Sequence, residues 1–213
     1  EADLELLMRR NACDIVYAPA QMYLANHATK IIPAGAALNF EAETRPDFFS
    51  GVATIVLKLF NQTKPDIAVF GEKDFQQLQV IKQMIRDFDL EIEIIAGRTE
   101  RDDDGLALSS RNVYLSPAER KIAPNIYQVL QNTIKLISAG NTVQAALQSG
   151  RAQLDEIGIS QLDYFSLCDA QTLEPLSVVN GDARLLIAAR LGSTRLIDNI
   201  SLTISSQNET PSD

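Results

Sequence analysis

Apolar residues recur at helical spacing from the first turn of the chain, where Leu4, Leu7 and Met8 share one face of ADLELLMRRN, and that period predicts a helix. Asp14-Ile15-Val16-Tyr17-Ala18 is a short apolar run ending at Pro19 and reads as a buried strand. Residues 20–50 carry no sustained period and are punctuated by Pro33, Gly35 and Pro46, the pattern of a loop-rich segment. From Gly51 a helical stripe returns through Val52, Ile55, Val56, Leu59 and Phe60, stopping before Pro65. Ile67-Ala68-Val69-Phe70 then reads as a strand. Phe75, Leu78, Ile81, Ile85 and Phe88 follow on one helical face, and Glu91-Ile92-Glu93-Ile94-Ile95 as a strand closing at Gly97.

The pattern changes after Tyr114. Ser116-Pro117-Ala118-Glu119 is a helix start, with a serine cap, proline at the first helical position and glutamate three residues after the cap. This helix is expected to run toward Ala139-Gly140, and another from Asn141-Thr142 to Ile157-Gly158. Leu162 to Leu167, Ala183 to Ala189 and Arg195 to Ile204 read as three strands, the last interrupted near Asp198-Asn199. Helices packed on a small antiparallel sheet would bury this set. The expected organisation is a nucleotide-binding α/β part over 1–114, a helix-and-sheet domain over 115–204 and a polar, disordered tail over 205–213. Arg190, Arg195 and Asp198 read as an ion-pair network, and the second domain offers no catalytic cluster.

Composition narrows the function classes. With 46% apolar and 22% charged residues among 213, the chain reads as soluble and globular, and no apolar run approaches the roughly 20 residues a bilayer helix needs. Nineteen basic residues against 28 acidic ones give a formal charge of −9, which argues against a broad nucleic-acid surface but leaves room for a few local cations around a small anion. Cys13 and Cys168 are far apart and form no metal or disulfide framework, so a reducing cytoplasm is expected. His27, the single histidine, has no ligand-spaced neighbours and reads as a loop residue.

Two stretches carry candidate chemistry. In PDIAVFGEKDFQQ a strand meets Gly71 and then Glu72, Lys73, Asp74 and Gln77 at the start of a helix, the place where open α/β sheets hold ligands. Gly71 lets a ligand approach the backbone; Lys73 offers a cation, Asp74 an acceptor and Gln77 a two-way amide. In RTERDDDGLALSSRNVY, Asp104-Gly105 marks a turn, and Ser109, Ser110 and Arg111 put two hydroxyls beside a guanidinium, donors suited to phosphate oxygens. Taken singly, Lys73 could oppose Glu72 or Asp74 at a solvated helix start, Gln77 could be an exposed helix residue, and Ser-Ser-Arg could be a capped loop.

FGEKDFQQL followed by DGLALSSRNVYL, preceded by Arg45-Pro46 with Phe49, Gly51 and Val52 and followed by ARLGSTRLIDN, resembles the pantothenate synthetase (pantoate–β-alanine ligase) family from the first residues to about position 204. The resemblance implies a nucleotidylyl-transferase-like, Rossmann-type fold with strand order 3-2-1-4-5, in which 14–18, 67–70 and 92–95 would be strands 3, 4 and 5. It also implies the activity. Pantoate and ATP would give pantoyl adenylate and pyrophosphate, and β-alanine would displace AMP to form pantothenate, with no Ser or Cys nucleophile. On that pattern Lys73 contacts phosphate, Gly71 and Asp74 the ribose, Gln77 the pantoate, and Ser109, Ser110 and Arg111 the triphosphate, with Lys73 and Arg111 as the catalytic cations. A homodimer and a lid formed by the second domain are implied too.

The sequence departs from the family pattern in ways that carry expectations. The HxGH segment and the aspartate loop associated with Mg²⁺ would precede Glu1, so the chain reads as the carboxyl-terminal three quarters of a longer protein, with strand 3 apart from strands 4 and 5 and apolar edges that favour association. Where the family has Gly, His and Arg, this chain has Asp47, Phe48 and Ser50, a change that makes anion binding there less favourable. Arg98 and Glu100 replace a proline and a small apolar residue near the adenine. An inactive remnant or interaction module, and a related nucleotidyl transferase, are the competing readings.

Overall fold

A computed structural model describes residues 2–159 and 161–203. The tail expected at 205–213, and Ile204 at the end of the third expected strand, lie outside the described residues. The chain divides into two compact units, Glu1–Lys30 and Ile31–Asp213.

The first unit holds helix α1 (Ala2–Arg10), as the spacing predicts. The strand expected at 14–18 does not form: these residues are irregular and exposed, Ile15 to 84%. An apolar run becomes a strand only when a neighbour takes up its backbone N–H and C=O groups, and no described strand pairs with this one. His27 is exposed, with its ring 4.8 Å from that of Tyr23.

In the second unit a 3-10 turn (Gly35–Ala37) and short α2 (Glu41–Thr44) break the expected loop. Helix α3 (Phe48–Thr63) begins three residues before the expected Gly51, because the adjoining Phe48 and Phe49 rings pack edge to face at 5.0 Å and Phe49 is buried. It ends at Lys64, which takes a left-handed conformation (φ 48°) immediately before Pro65, a stop that proline enforces. Strand β1 (Ile67–Gly71), a 3-10 turn (Glu72–Asp74), α4 (Phe75–Asp87) and β2 (Glu93–Gly97) follow. The strands pair in parallel from Ile67 with Glu93 to Gly71 with Gly97. Ala68, Phe70, Ile94 and Ala96 face the core; Ile67, Val69 and Ile95 face outward.

After a 3-10 turn (Ser110–Tyr114), α5 (Pro117–Ile122) opens with the expected capping box: Glu119 N–H donates to Ser116 Oγ at 3.3 Å and Ser116 N–H to Glu119 Oε2 at 2.7 Å. The single helix expected from here to Ala139 is two, because Pro124 lacks an N–H and its ring obstructs the preceding turn. Helix α6 (Asn125–Ser138) starts after it and α7 (Val143–Glu156) begins at the Thr142 cap. Strands β3 (Gln161–Asp169), β4 (Ala183–Leu191) and β5 (Thr194–Leu202) form an antiparallel sheet in that order. Contrary to expectation, β5 runs unbroken through Asp198 and Asn199, whose side chains find guanidinium partners on opposite faces of the sheet.

Those two faces organise the second unit. Phe165, Leu185, Ile187 and Ala189 pack beneath α6 and α7. On the other face Cys168 and Leu186 join Phe40, Phe75 and Leu78 in one cluster, so the antiparallel sheet and the α4 layer share a core. Among the described residues no helix is long and apolar enough to cross a membrane.

Candidate active site

Where β1 ends, the chain turns through Glu72–Asp74 and enters α4; where β2 ends, it forms a long loop closed by a bridge between Arg101 and Ala107. Parallel strands present such turns on the same side of the sheet, at their carboxyl ends. Between the two turns and the antiparallel sheet lies a cavity of about 280 Å³.

Lys73, Asp74 and Gln77 line it from the first turn, and Ser109, Ser110 and Arg111 from the second. Gly71 does not line it; this residue ends β1 with nothing within 4 Å of a Cβ built on it. Ser109 has a local task as well, since its Oγ accepts the Arg111 N–H at 3.2 Å and caps the 3-10 turn. Among the described residues neither Lys73 nor Arg111 is paired with a carboxylate, which leaves two cations beside the cavity for a ligand. Asn112 adds an acceptor: its Nδ2 donates to Ala107 O at 3.0 Å while Oδ1 is buried with no hydrogen-bond partner. A buried acceptor left this way favours a ligand that donates to it.

Glu72 points elsewhere. Its carboxylate meets the Arg184 guanidinium of β4 at 3.5 Å, and Arg184 lies 4.3 Å from the centre of the Phe75 ring. Burial pushes the Arg184 guanidinium below its usual range, with Glu72 working in the opposite direction. Of the three residues that depart from the family pattern, Phe48 lines the cavity and carries the Arg45 guanidinium 3.7 Å over its ring. Ser50 donates to Ile31 O at 2.6 Å, and Asp47 is exposed at the start of α3. A cation therefore still faces the cavity at this corner, supplied by Arg45. Arg98 and Glu100 are exposed and do not line it.

The expected antiparallel sheet forms a wall of the cavity through Tyr164, Arg195, Asp198 and Asn199, residues that the sequence did not mark as lining a site. Glu41, 6% exposed, receives both terminal nitrogens of Arg195 at 3.0 and 2.6 Å and the Tyr164 hydroxyl at 2.8 Å. Arg195 also bonds Asp163, which Arg190 approaches at 4.0 Å. Burial works against the Arg195 charge, but the bonds from Glu41 and Asp163 outweigh it and raise its pKa; burial and then the Glu41 charge raise that of Tyr164. Asp198 does not join Arg190 and Arg195. It lies on the other face of β5 and holds Arg101 by two bonds, 2.7 and 2.8 Å, while Arg101 stacks 3.6 Å over the Tyr127 ring. The available signal was the polar pair Asp198-Asn199 between Ile197 and Ile200, a placement that costs stability unless each side chain is satisfied.

Two further contacts set the second loop. Arg120 grips Asp102 and Asp104, and the Arg120 bond holds the Asp104 carboxyl below its ordinary range. Gly105 takes φ +94° with Tyr127 3.2 Å from where a Cβ would stand, so a side chain there would be both strained and crowded.

Comparison with known proteins agrees with this geometry. The family described as pantoate-beta-alanine ligase matches residues 1–201. The chain is 48% identical over 212 residues to the pantothenate synthetase of Rhizorhabdus wittichii, covering 94% of this chain and 75% of that protein, and 47% identical over 193 residues to that of a Bradyrhizobium strain, covering 89% and 68%. The crystal structure of pantothenate synthetase from Thermus thermophilus superposes with a TM-score of 0.88 at 39% identity, over 93% of this chain and 73% of that one. The Francisella tularensis pantoate-beta-alanine ligase, solved in complex with beta-gamma ATP and beta-alanine, does so at 0.74 and 31%, over 93% and 68%. The chain belongs to the pantoate–β-alanine ligase family, enzymes that join pantoate to β-alanine.

Proposed function

We propose that the ligation is driven by ATP through a pantoyl adenylate, in the cavity between the β1 and β2 turns. A pantoate carboxylate oxygen attacks the α-phosphorus, the bond to the bridging oxygen breaks and pyrophosphate leaves with the electron pair. The β-alanine amine then attacks the acyl carbon and AMP departs. The observation that carries this reading is the meeting, in one cavity, of Lys73 and Arg111, both without a carboxylate partner among the described residues.

Charge builds on phosphate oxygens as the pyrophosphate leaves, and fixed cations facing that charge lower the barrier. Lys73 serves the transferring phosphate, Arg111 with Ser109 and Ser110 the rest of the triphosphate, Asp74 and the Gly71 backbone the ribose, and Gln77 the pantoate. Gly71 contributes from the edge, because it ends β1 without lining the cavity. The solved relative named as complexed with beta-gamma ATP and beta-alanine supports this choice of substrates.

The described residues offer Mg²⁺ no cage made of protein ligands alone. Among the described residues no group of three or more His, Cys, Asp or Glu could hold a metal ion, and Glu41 and Asp198 in the cavity wall are each held by a guanidinium. The family resemblance supports a homodimer in the cytoplasm, with residues 1–114 as the nucleotide-binding part and 115–204 as the lid.

The test is AMP release with all three substrates and with each omitted. AMP should form only with the complete set, and Lys73→Ala and Arg111→Ala should each lower kcat by about 10²–10³, the usual loss when one donor to a developing anion is removed. Unchanged kcat in both variants, or AMP release that ignores pantoate, overturns the proposal.

A further inference from the structure

We propose that Asn199 is a positioning residue for the ligation, fixing from the antiparallel sheet the backbone turn that presents Lys73. The proposal rests on the reading of Lys73 given above.

The geometry is specific. Asn199 Nδ2 donates to two consecutive main-chain carbonyls of the turn, Glu72 O at 3.0 Å and Lys73 O at 2.9 Å, across 127 and 126 residues of sequence. Its Oδ1 accepts from Arg184 Nε at 2.6 Å. The orientation of the amide follows from these partners, because carbonyls can only accept and a guanidinium can only donate. The side chain is thus locked by three bonds at 4% exposure. Arg184 is itself braced against Glu72 and the Phe75 ring, so one sheet face grips the turn by main chain and side chain together.

The next residue back does the corresponding job for the other half of the site. Successive strand residues face opposite ways, and Asp198 holds Arg101, whose Nη1 also donates to Gly105 O at 3.1 Å in the loop leading to Ser109 and Arg111. Asp198 Oδ1 in turn accepts the Asn199 N–H at 2.8 Å. Adjacent residues of β5 therefore tie down both segments that line the cavity. The turn needs such a tie because no side-chain cap fixes either end: Gly71 and Asp74 make no capping bond. A small displacement of a phosphate-facing cation costs rate well beyond its cost in stability.

Asn199→Asp separates the roles. An aspartate keeps the acceptor for Arg184 and the shape, but turns a carboxylate toward two carbonyls where a donor is required. We expect a folded protein whose kcat/KM for ATP falls by about tenfold to a hundredfold, the scale of a site misplaced by about an ångström, with most of the change in kcat. Combining N199D with K73A should lower kcat little beyond K73A alone, since residues that act through one another are not additive. Asn199→Ala, which removes both roles, is the second variant if N199D does not fold. Wild-type kinetics in a folded N199D, or losses that multiply fully with K73A, overturn the proposal, as does failure of both single variants to fold, which assigns Asn199 to the core. If K73A alone retains wild-type kcat, the reading of Lys73 fails and this one with it; if K73A is impaired and N199D is not, only the role of Asn199 fails.

Discussion

The two sheets of the second unit divide stability and chemistry between them. In β4 every residue from Ala183 to Ala189 is buried, whereas β1 alternates and leaves Ile67 and Val69 half or more exposed. The parallel pair contributes its ends, where the turns carrying Lys73 and Arg111 begin. The antiparallel sheet contributes its faces: one covers α6 and α7, and the other packs the α4 layer and reaches the cavity with Tyr164, Arg195 and Asn199. A ligand turn at the end of a half-covered strand pair has little to hold it by itself, and here the neighbouring sheet supplies the hold.

The largest expected effect concerns the antiparallel sheet at its most charged point, where Arg195 joins it to α2 through Glu41. Arg195→Ala leaves Glu41 and Asp163 without their shared guanidinium, with Glu41 6% exposed, and removal of one partner from a buried pair costs about 3–5 kcal/mol. Urea unfolding should show this loss. A cost near that of an exposed pair, below about 1 kcal/mol, would mean that α2 is held to the antiparallel sheet by its other contacts and not by the Glu41–Arg195 pair.

The next effect compares the sheets directly. Leu185, fully buried in β4, should cost about 2–5 kcal/mol when replaced by alanine. Val69, 66% exposed on the outer face of β1, should tolerate Val69→Thr within about 0.5 kcal/mol. Equal losses would break the comparison and show that the outer face of β1 is covered in solution, as the apolar edges expected from the sequence would favour.

What the sequence made legible follows the same division. Lys73, Asp74, Gln77, Ser109, Ser110 and Arg111, which line the cavity, stood out because each sits in a short contiguous stretch at the end of a strand, where local pattern and resemblance coincide. Glu41 and Asn199 were missed, and Arg195 was read as an ion-pairing residue without its partner Glu41, because these pairings span 154 or about 127 residues, and no local period reports such a pairing. The run at 14–18 misled for the converse reason: its apolar character is local, but a strand is a property of two segments. Pro124 was a missed breaker within a stripe that otherwise continues, a signal present in the sequence and outweighed by periodicity.

The smallest effect concerns a group between the layers. Cys168 of β3 sits in the core shared with α4, fully buried, with its Sγ 3.3 Å from Arg184 O. Burial pushes its thiol up to about 12 from an ordinary 9, with the nearby Asp169 charge adding to the shift. Between these values the unfolded chain has lost the proton that the folded protein keeps, so stability falls as pH rises through the window. The slope can reach about 1.4 kcal/mol per pH unit for one such group. Tyr164 adds a loss of the same sign at higher pH, because its hydroxyl is also raised. Unfolding measured from pH 8 to 11 in the native protein and in Cys168→Ala isolates the thiol: the variant starts less stable from lost packing but should decline less steeply. Parallel declines would show that the Cys168 thiol ionises as readily in the folded protein as in the unfolded chain, and that its burial in the shared core does not hold the proton.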